Sequence, residues 1–130
     1  MILIDRLIDA DSDASTCEVT IRPDSLFVEA GGVPTFVGIE YMAQAVAAHG
    51  GYQSYRLGEG TSIGLLLGTR QLVFSQPYFE IGQTLRIHVV HIWGTSELHR
   101  FRCTITNATT GAALQSAELN VFLRKSQTKL

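Results

Sequence analysis

The sequence predicts an α+β fold, an antiparallel sheet of about five to six strands wrapped around one long central helix. Three observations carry this prediction. Two strand-like runs precede, and four follow, a single long apolar stretch with helical spacing. Several of the strand runs alternate apolar and polar residues, so each offers one face to a core and the other to water. The joints between them are mostly short and rich in turn formers, which suits antiparallel neighbours. A sheet folded over one helix lets each element bury its apolar face against the other. Residues 1–130 are expected to form one domain, since this length supports a single core.

Residues 2–9 and 16–22 read as strands joined by the turn-rich "DADSDAS". The first run is apolar from the start of the chain, as if a short lead segment were missing. In the second, Cys17, Val19 and Ile21 alternate with Glu18, Thr20 and Arg22. The loop "RPDSLFVEAGGVP" ends in Pro34, whose fixed φ suits the opening turn of a helix. From Pro34 to about Arg56 no proline intervenes, and Ile39, Met42, Ala43 and Val46 share one helical face. Val37, Tyr41, Ala45 and Ala48 occupy the others, so the helix is apolar nearly all round and is expected at the centre of the domain. Its alanines, with Gly50 and Gly51, would let surrounding backbone come close. The strands "IGLLLGTRQLVF", "TLRIHVVHIW", "ELHRFRCTITNA" and "AALQSAELNVFL" follow, divided by "EIGQ", "GTS" and "TTG". The polar tail 124–130 is expected to fray.

Composition narrows the function classes. Apolar residues make up 45% and charged residues 17%, which suits a globular chain. A net charge of −2 supplies no global attraction to nucleic acid or to anionic membrane. No apolar run has the length of a membrane span and no secretion signal is evident, so a cytoplasmic location is expected. Cys17 and Cys103 have no metal-site spacing and sit in strand-like runs, as buried free thiols do. No metal or organic cofactor is signalled. A single sheet keeps two edges, and pairing them between copies makes a homodimer the expected assembly.

One acid stands out. In "GIEYMAQAVAAHGG", Glu40 sits early in the otherwise apolar helix. Either it points to water as a solvated helix residue, or burial there keeps it protonated and places it for proton chemistry. Gln44 lies four residues on, on the same face, and is placed to orient it. His49 is nine residues after Glu40, roughly 180° around the helix and about 13 Å along it, so the two share no pocket within one chain. His88 and His91 point to opposite faces of one strand, His91 inward. His99 shares a face with Phe101 and Cys103. These three read as ordinary strand histidines, with approach of the partner subunit's His91 or the partner subunit's His99 to the site as the alternative; Asp24 and Glu29 read as solvated loop acids, with Glu29 as an alternative base.

The order of elements and several motifs resemble the hotdog-fold superfamily. "PTFVGIEYMAQ", Pro34 to Gln44, is similar to the "P-G-V-L-x-x-E-A-M-A-Q" segment of the 3-hydroxyacyl-carrier-protein dehydratases of fatty acid synthesis. "MILIDRLID" resembles the first strand of that family. "GTRQLVFSQPYFEIGQTL" matches its later motif at Gly68, Phe74 and Pro77, with one extra residue before Gly82. "GGVPTFVGIEYMAQA" with "LLLGTR" looks closer still to the dehydratase-like proteins of bacterial aryl polyene pathways. The fatty acid enzymes carry a catalytic histidine in a "Gly-His-Phe-Pro-Gly" loop. Ungapped counting puts Leu26 at that position and Phe27 on the phenylalanine, and no histidine lies before His49.

The resemblance implies a dehydratase acting on 3-hydroxyacyl thioesters held by an acyl carrier protein. A base must take the proton α to the carbonyl, donors must hold the enolate oxygen, and an acid must accompany the departing hydroxyl. Glu40 carries over as that acid, with Gln44 beside it. The helix-opening N–H groups at Thr35, Phe36 and Gly38 are the expected substrate contacts, because first-turn donors lack intrahelical partners. Arg86, Arg100 and Arg102 form an outward basic strip that either meets an acidic carrier protein or, on the plainer reading, solubilises the sheet. The missing histidine brings two further readings. One is a hotdog thioesterase using the single helix carboxylate. The other is a non-catalytic subunit of a heterodimer whose related partner supplies the histidine.

Overall fold

The computed structural model describes residues 2–58, 62–95 and 97–125. Among them, the strands β1 (Arg6–Ala10), β2 (Ala14–Thr20) and β3 (Val33–Pro34) lead to a 3-10 turn, Thr35–Val37. The helix α1 (Gly38–Arg56) follows directly. Then come β4 (Ser62–Phe74), β5 (Tyr78–Phe79), β6 (Thr84–Thr95), β7 (Leu98–Asn107) and β8 (Ala113–Lys125). Six strands form one antiparallel sheet in the order β1-β2-β6-β7-β8-β4. The expected strand number, helix and wrapping are therefore those of the molecule.

Alternation builds the core. Cys17 and Val19 on β2, Leu85, Ile87 and Val89 on β6, Phe101, Cys103 and Ile105 on β7, and Ala117, Leu119 and Val121 on β8 all point one way. They meet Tyr41, Met42, Ala45 and Val46 of α1 in a single buried cluster. Removing this apolar surface from water supplies the main drive to fold, about 1.5–3 kcal/mol for a fully buried large side chain. The outer face is polar, with Arg6 and Arg86 both paired to Glu18 and Arg102 paired to Glu118.

Three expectations are corrected. The first strand begins at Arg6, not at residue 2, because the chain before Asp5 turns toward the helix, while the Asp5 N–H still donates to the Glu18 carbonyl of β2. The Leu3 N–H donates to Gln44 Oε1 at 2.7 Å. The second strand covers 14–20, since the Asp11 carboxylate accepts the Asp13 and Ala14 N–H groups and closes the turn early. The helix is not enclosed all round, either: Glu40, Ala47 and Gly51 are exposed, and nothing crowds Gly50 or Gly51. Close approach occurs at Gly38 instead, and there by the side chains of Gln115 and Phe79. The fraying expected of the tail falls, from residue 126, outside the described residues.

A small second sheet, β3 against β5, was not expected. It pairs Val33 with Phe79 and Pro34 with Tyr78. Pro34 accordingly ends a strand before the 3-10 turn begins, and the α-helix starts four residues later than the proline. At the far end Gly58, at φ +69°, takes the left-handed conformation that closes a helix.

Candidate active site

Glu40 lies in the first turn of α1 and is exposed on this chain. This corrects the expected burial: the sequence pattern shows an apolar helix, but one chain leaves the start of that helix uncovered. Glu40 instead lines a groove of about 330 Å³ with Phe27, Phe36, Val37, Ile39 and Leu66. It is the one ionisable residue among those lining residues, and no histidine stands with it. Phe27, at φ +68°, holds a backbone conformation uncommon for a bulky residue, and such strain gathers at functional sites.

Of the three expected substrate contacts, the structure leaves one open. The Thr35 N–H donates to the Pro77 carbonyl at 2.9 Å, and its hydroxyl donates to the same oxygen at 3.2 Å. Thr35 is buried and anchors the turn, so its expected place as an anion donor is corrected. Gly38 is buried too, and its N–H bonds back to the carbonyls of its own turn. Phe36 is 71% exposed and faces the groove. The Oε1 of Gln44 is committed to the Leu3 N–H, which ties the middle of the helix to the N-terminal segment.

The loop that would carry the histidine straddles two cavities. Phe27 walls the Glu40 groove, whereas Leu26, at the position matched to the histidine, lines another of about 210 Å³ with Asp5, Arg22, Asp24 and Tyr41. Burial, then the Asp5 charge, pushes the Tyr41 hydroxyl up to about 12, so it stays a neutral phenol. Asp24 belongs to this second cavity, and Glu29 closes a tight turn with Gly32.

The other histidines gather away from Glu40. His49 is buried and its Nδ1 meets Ser15 Oγ at 2.6 Å. His91 Nε2 meets His99 Nδ1 at 2.8 Å. Both His49 and His91 set ring edges against Phe101. Burial first holds His49 and His91 below the ordinary histidine range, with repulsion from His91 acting next on His49 and repulsion from His99 next on His91. His88 bonds Thr16 on the outer side. Burial raises Cys17 to about 11 and Cys103 to about 12, which makes both inert core thiols. Among the described residues no cluster of three or more His, Cys, Asp or Glu could hold a metal.

One residue of this site was missed from sequence. Gln115 on β8 is 2% exposed, and its Nε2 donates to the Thr35 carbonyl at 2.8 Å. Its Oε1 is buried without a hydrogen-bond partner. The signal was there, because Ala117, Leu119 and Val121 alternate inward and one more step back reaches Gln115.

Comparison with known proteins fits this architecture. The dehydratase heterocomplex ApeI:P from Xenorhabdus doucetiae matches with a TM-score of 0.88 and 26% identity, over 97% of this chain and 84% of that one. A hypothetical thioesterase from Streptococcus pneumoniae, solved with coenzyme A, matches at TM-score 0.72 and 12% identity, over 95% and 88%. Zebrafish thioesterase superfamily member 2 matches at 0.69 and 12%, over 92% and 80%. The latter two likenesses speak for the hotdog fold alone. Among curated proteins, none matches. The family model for ApeP dehydratase matches residues 1–130, and the chain therefore belongs to the ApeP-like dehydratase family.

Proposed function

We propose that this chain contributes the acid half of a dehydratase site, with Glu40 serving the β-hydroxyl of a 3-hydroxyacyl thioester borne on an acyl carrier protein. The single observation behind this reading is an apolar groove with one ionisable residue, Glu40, among its lining residues. Apolar walls suit an acyl chain, and one carboxylate suffices for one proton transfer. A base removes the α proton and the electron pair forms the enolate. As the enolate collapses to the α,β double bond, the β-carbon–oxygen bond breaks and Glu40 delivers the proton that turns hydroxide into water. The phenylalanine groove retards entry of bulk water while this occurs.

The base is assigned to a related hotdog subunit carrying the loop histidine. Support comes from the Glu40 groove, which lacks a histidine, and from the similar protein, which is described as a dehydratase heterocomplex. The exposed apolar edge of β4 is the natural seat for that subunit. Leu67, Leu72, Val73 and Phe74 lie bare along it, and an unpaired apolar edge is a template for another strand. Leu66 of the same strand walls the groove, so a subunit seated there roofs the acid. Phe36 is the substrate-facing residue of the helix-opening turn. The carrier protein is not assigned to the arginine strip. Arg86 and Arg102 are engaged with glutamates, and Arg100 bonds Asn120 and lies over Trp93. In this reading residues 1–130 act as one domain in the cytoplasm, where carrier proteins are loaded.

The test is the intact mass of a 3-hydroxyacyl-loaded carrier protein, incubated with this chain alone and with a histidine-bearing hotdog subunit added. Loss of one water in the mixture, abolished by Glu40→Gln in a folded chain, is the expected outcome. Loss of the acyl group would identify a thioesterase. Unchanged mass in the mixture, or full turnover by the Glu40→Gln chain, would sink the assignment.

A further inference from the structure

We propose that Gln115 is a positioning residue for this reaction, holding the Thr35–Gly38 turn from behind so that the groove wall and the acid keep their places. The inference rests on the dehydratase reading above. It begins from the way Thr35 is fastened. Its N–H and hydroxyl both bond the Pro77 carbonyl, and its own carbonyl takes the Gln115 Nε2 at 2.8 Å. Three polar atoms of one residue are thus tied to the two sides that flank the helix start. The next two residues, Phe36 and Val37, wall the groove, and Glu40 follows within the same turn and a half.

The support behind Gln115 is rigid. It stands on β8 between two strands, opposite Ile105 of β7 and Phe74 of β4. Its amide has only one sensible orientation, because a flip would set Oε1 against the Thr35 carbonyl, oxygen against oxygen. That leaves Oε1 beside Gly38, buried and without a hydrogen-bond partner. A methyl group at Gly38 would overlap Oε1 and stand 2.7 Å from the Gln115 Cδ and 3.1 Å from Phe79 Cζ. The glycine is therefore the counterpart of the glutamine: only a residue without a Cβ lets the amide reach Thr35.

Packing alone does not account for this arrangement. An aliphatic side chain at 115 would fill the space without stranding a buried oxygen, and stranded oxygens are costly enough to be rare. The donor at Nε2 is what an aliphatic residue cannot supply, and its acceptor lies in the turn that shapes the groove. Small displacements of such a turn act on the chemical step more than on binding, since reactive geometry tolerates little error.

The experiment replaces Gln115 with Met in the full chain, assayed with its histidine-bearing partner. Turnover per folded molecule, KM and Tm are measured, with amide exchange in the chain alone at Thr35 and Gly38, whose N–H groups are hydrogen-bonded in the turn. Expected are a kcat lowered about tenfold with KM within about twofold, and exchange at the two amides about tenfold faster while Cys103 keeps its rate. Unchanged kcat overturns the proposal whatever the exchange rates do, because a mere strut would lower only Tm. If wild type itself shows no turnover, the dehydratase reading fails separately. Amide exchange then decides, and unchanged rates at Thr35 and Gly38 overturn the hold on the turn. Should Gln115→Met fail to fold, Gln115→Glu replaces it with the same expected outcomes, its carboxylate oxygens facing the Thr35 carbonyl.

Discussion

Glu40 shows how far a residue can be read from its neighbours. Its importance is visible in the run "GIEYMAQ", where an acid interrupts an apolar helix, but its environment is not. Periodicity reports which faces are apolar and cannot say whether they are covered by the same chain or by another. The exposed position also bears on stability: Glu40→Gln relieves no buried acid, and instead removes a first-turn carboxylate worth about 0.3–1 kcal/mol to a helix start. A Tm slightly below wild type is expected, and a clearly raised one would mean the acid is buried after all. The His49 pocket makes a second residue-scale prediction. Its folded affinity for a proton lies below the ordinary value of 6.5, through burial first and His91 second, with Asp11 and Asp13 opposing. The unfolded chain therefore takes up the proton first, and stability is full above 6.5 and falls as pH drops below it. Glu18, held low by the Arg6 hydrogen bond, gives way only below 4.5, which leaves a window for the histidines. Between pH 7 and 5, Tm should fall less in His49→Gln than in wild type, and equal slopes would remove His49 from the account.

At the scale of elements, what was legible followed periodicity. The strands from β6 to β8 alternate over most of their length, with β6 shifting register between His91 and Trp93, and the helix ends at Arg56 as its spacing implies although it begins at Gly38 and not at Pro34. The β3–β5 pair was not legible, because two residues bridging to a partner more than forty positions away leave no periodic trace. Nor could Gln115 be paired with Thr35 from sequence, since the contact depends on how β8 passes behind the helix start. The limits of β1 were misjudged for a related reason: Leu3 and Ile4 pack against the buried core instead of lengthening the ladder. The central strands should carry the greatest energetic weight. Leu119 of β8 is fully buried in the cluster that joins sheet and helix. Leu119→Ala should cost about 2–5 kcal/mol in chemical unfolding, and a loss under about 1 kcal/mol would show the site can collapse without harm.

The whole molecule closes as a fold within one chain and, in the proposed dehydratase reading, needs a second subunit as a site. Its core closes within one chain, while β4 keeps a long apolar edge in which Val73 is 62% exposed. No described helix is long and apolar enough to cross a membrane, so this edge does not belong to a helical span. Introducing a charge should separate the two properties. Val73→Lys is expected to leave the far-ultraviolet spectrum and Tm near wild type while weakening association with the partner at least about tenfold, as read by analytical ultracentrifugation. Undiminished association would place the interface elsewhere.

Leu66 belongs both to the β4 edge and to the wall around Glu40. If the edge is where subunits meet, assembly and enclosure of the acid are one event, and no chain can have either without the other. The working site would then be governed by stoichiometry. Whichever chain the cell makes in smaller amount would cap the number of finished sites, and every surplus copy would stand idle with its carboxylate in open water.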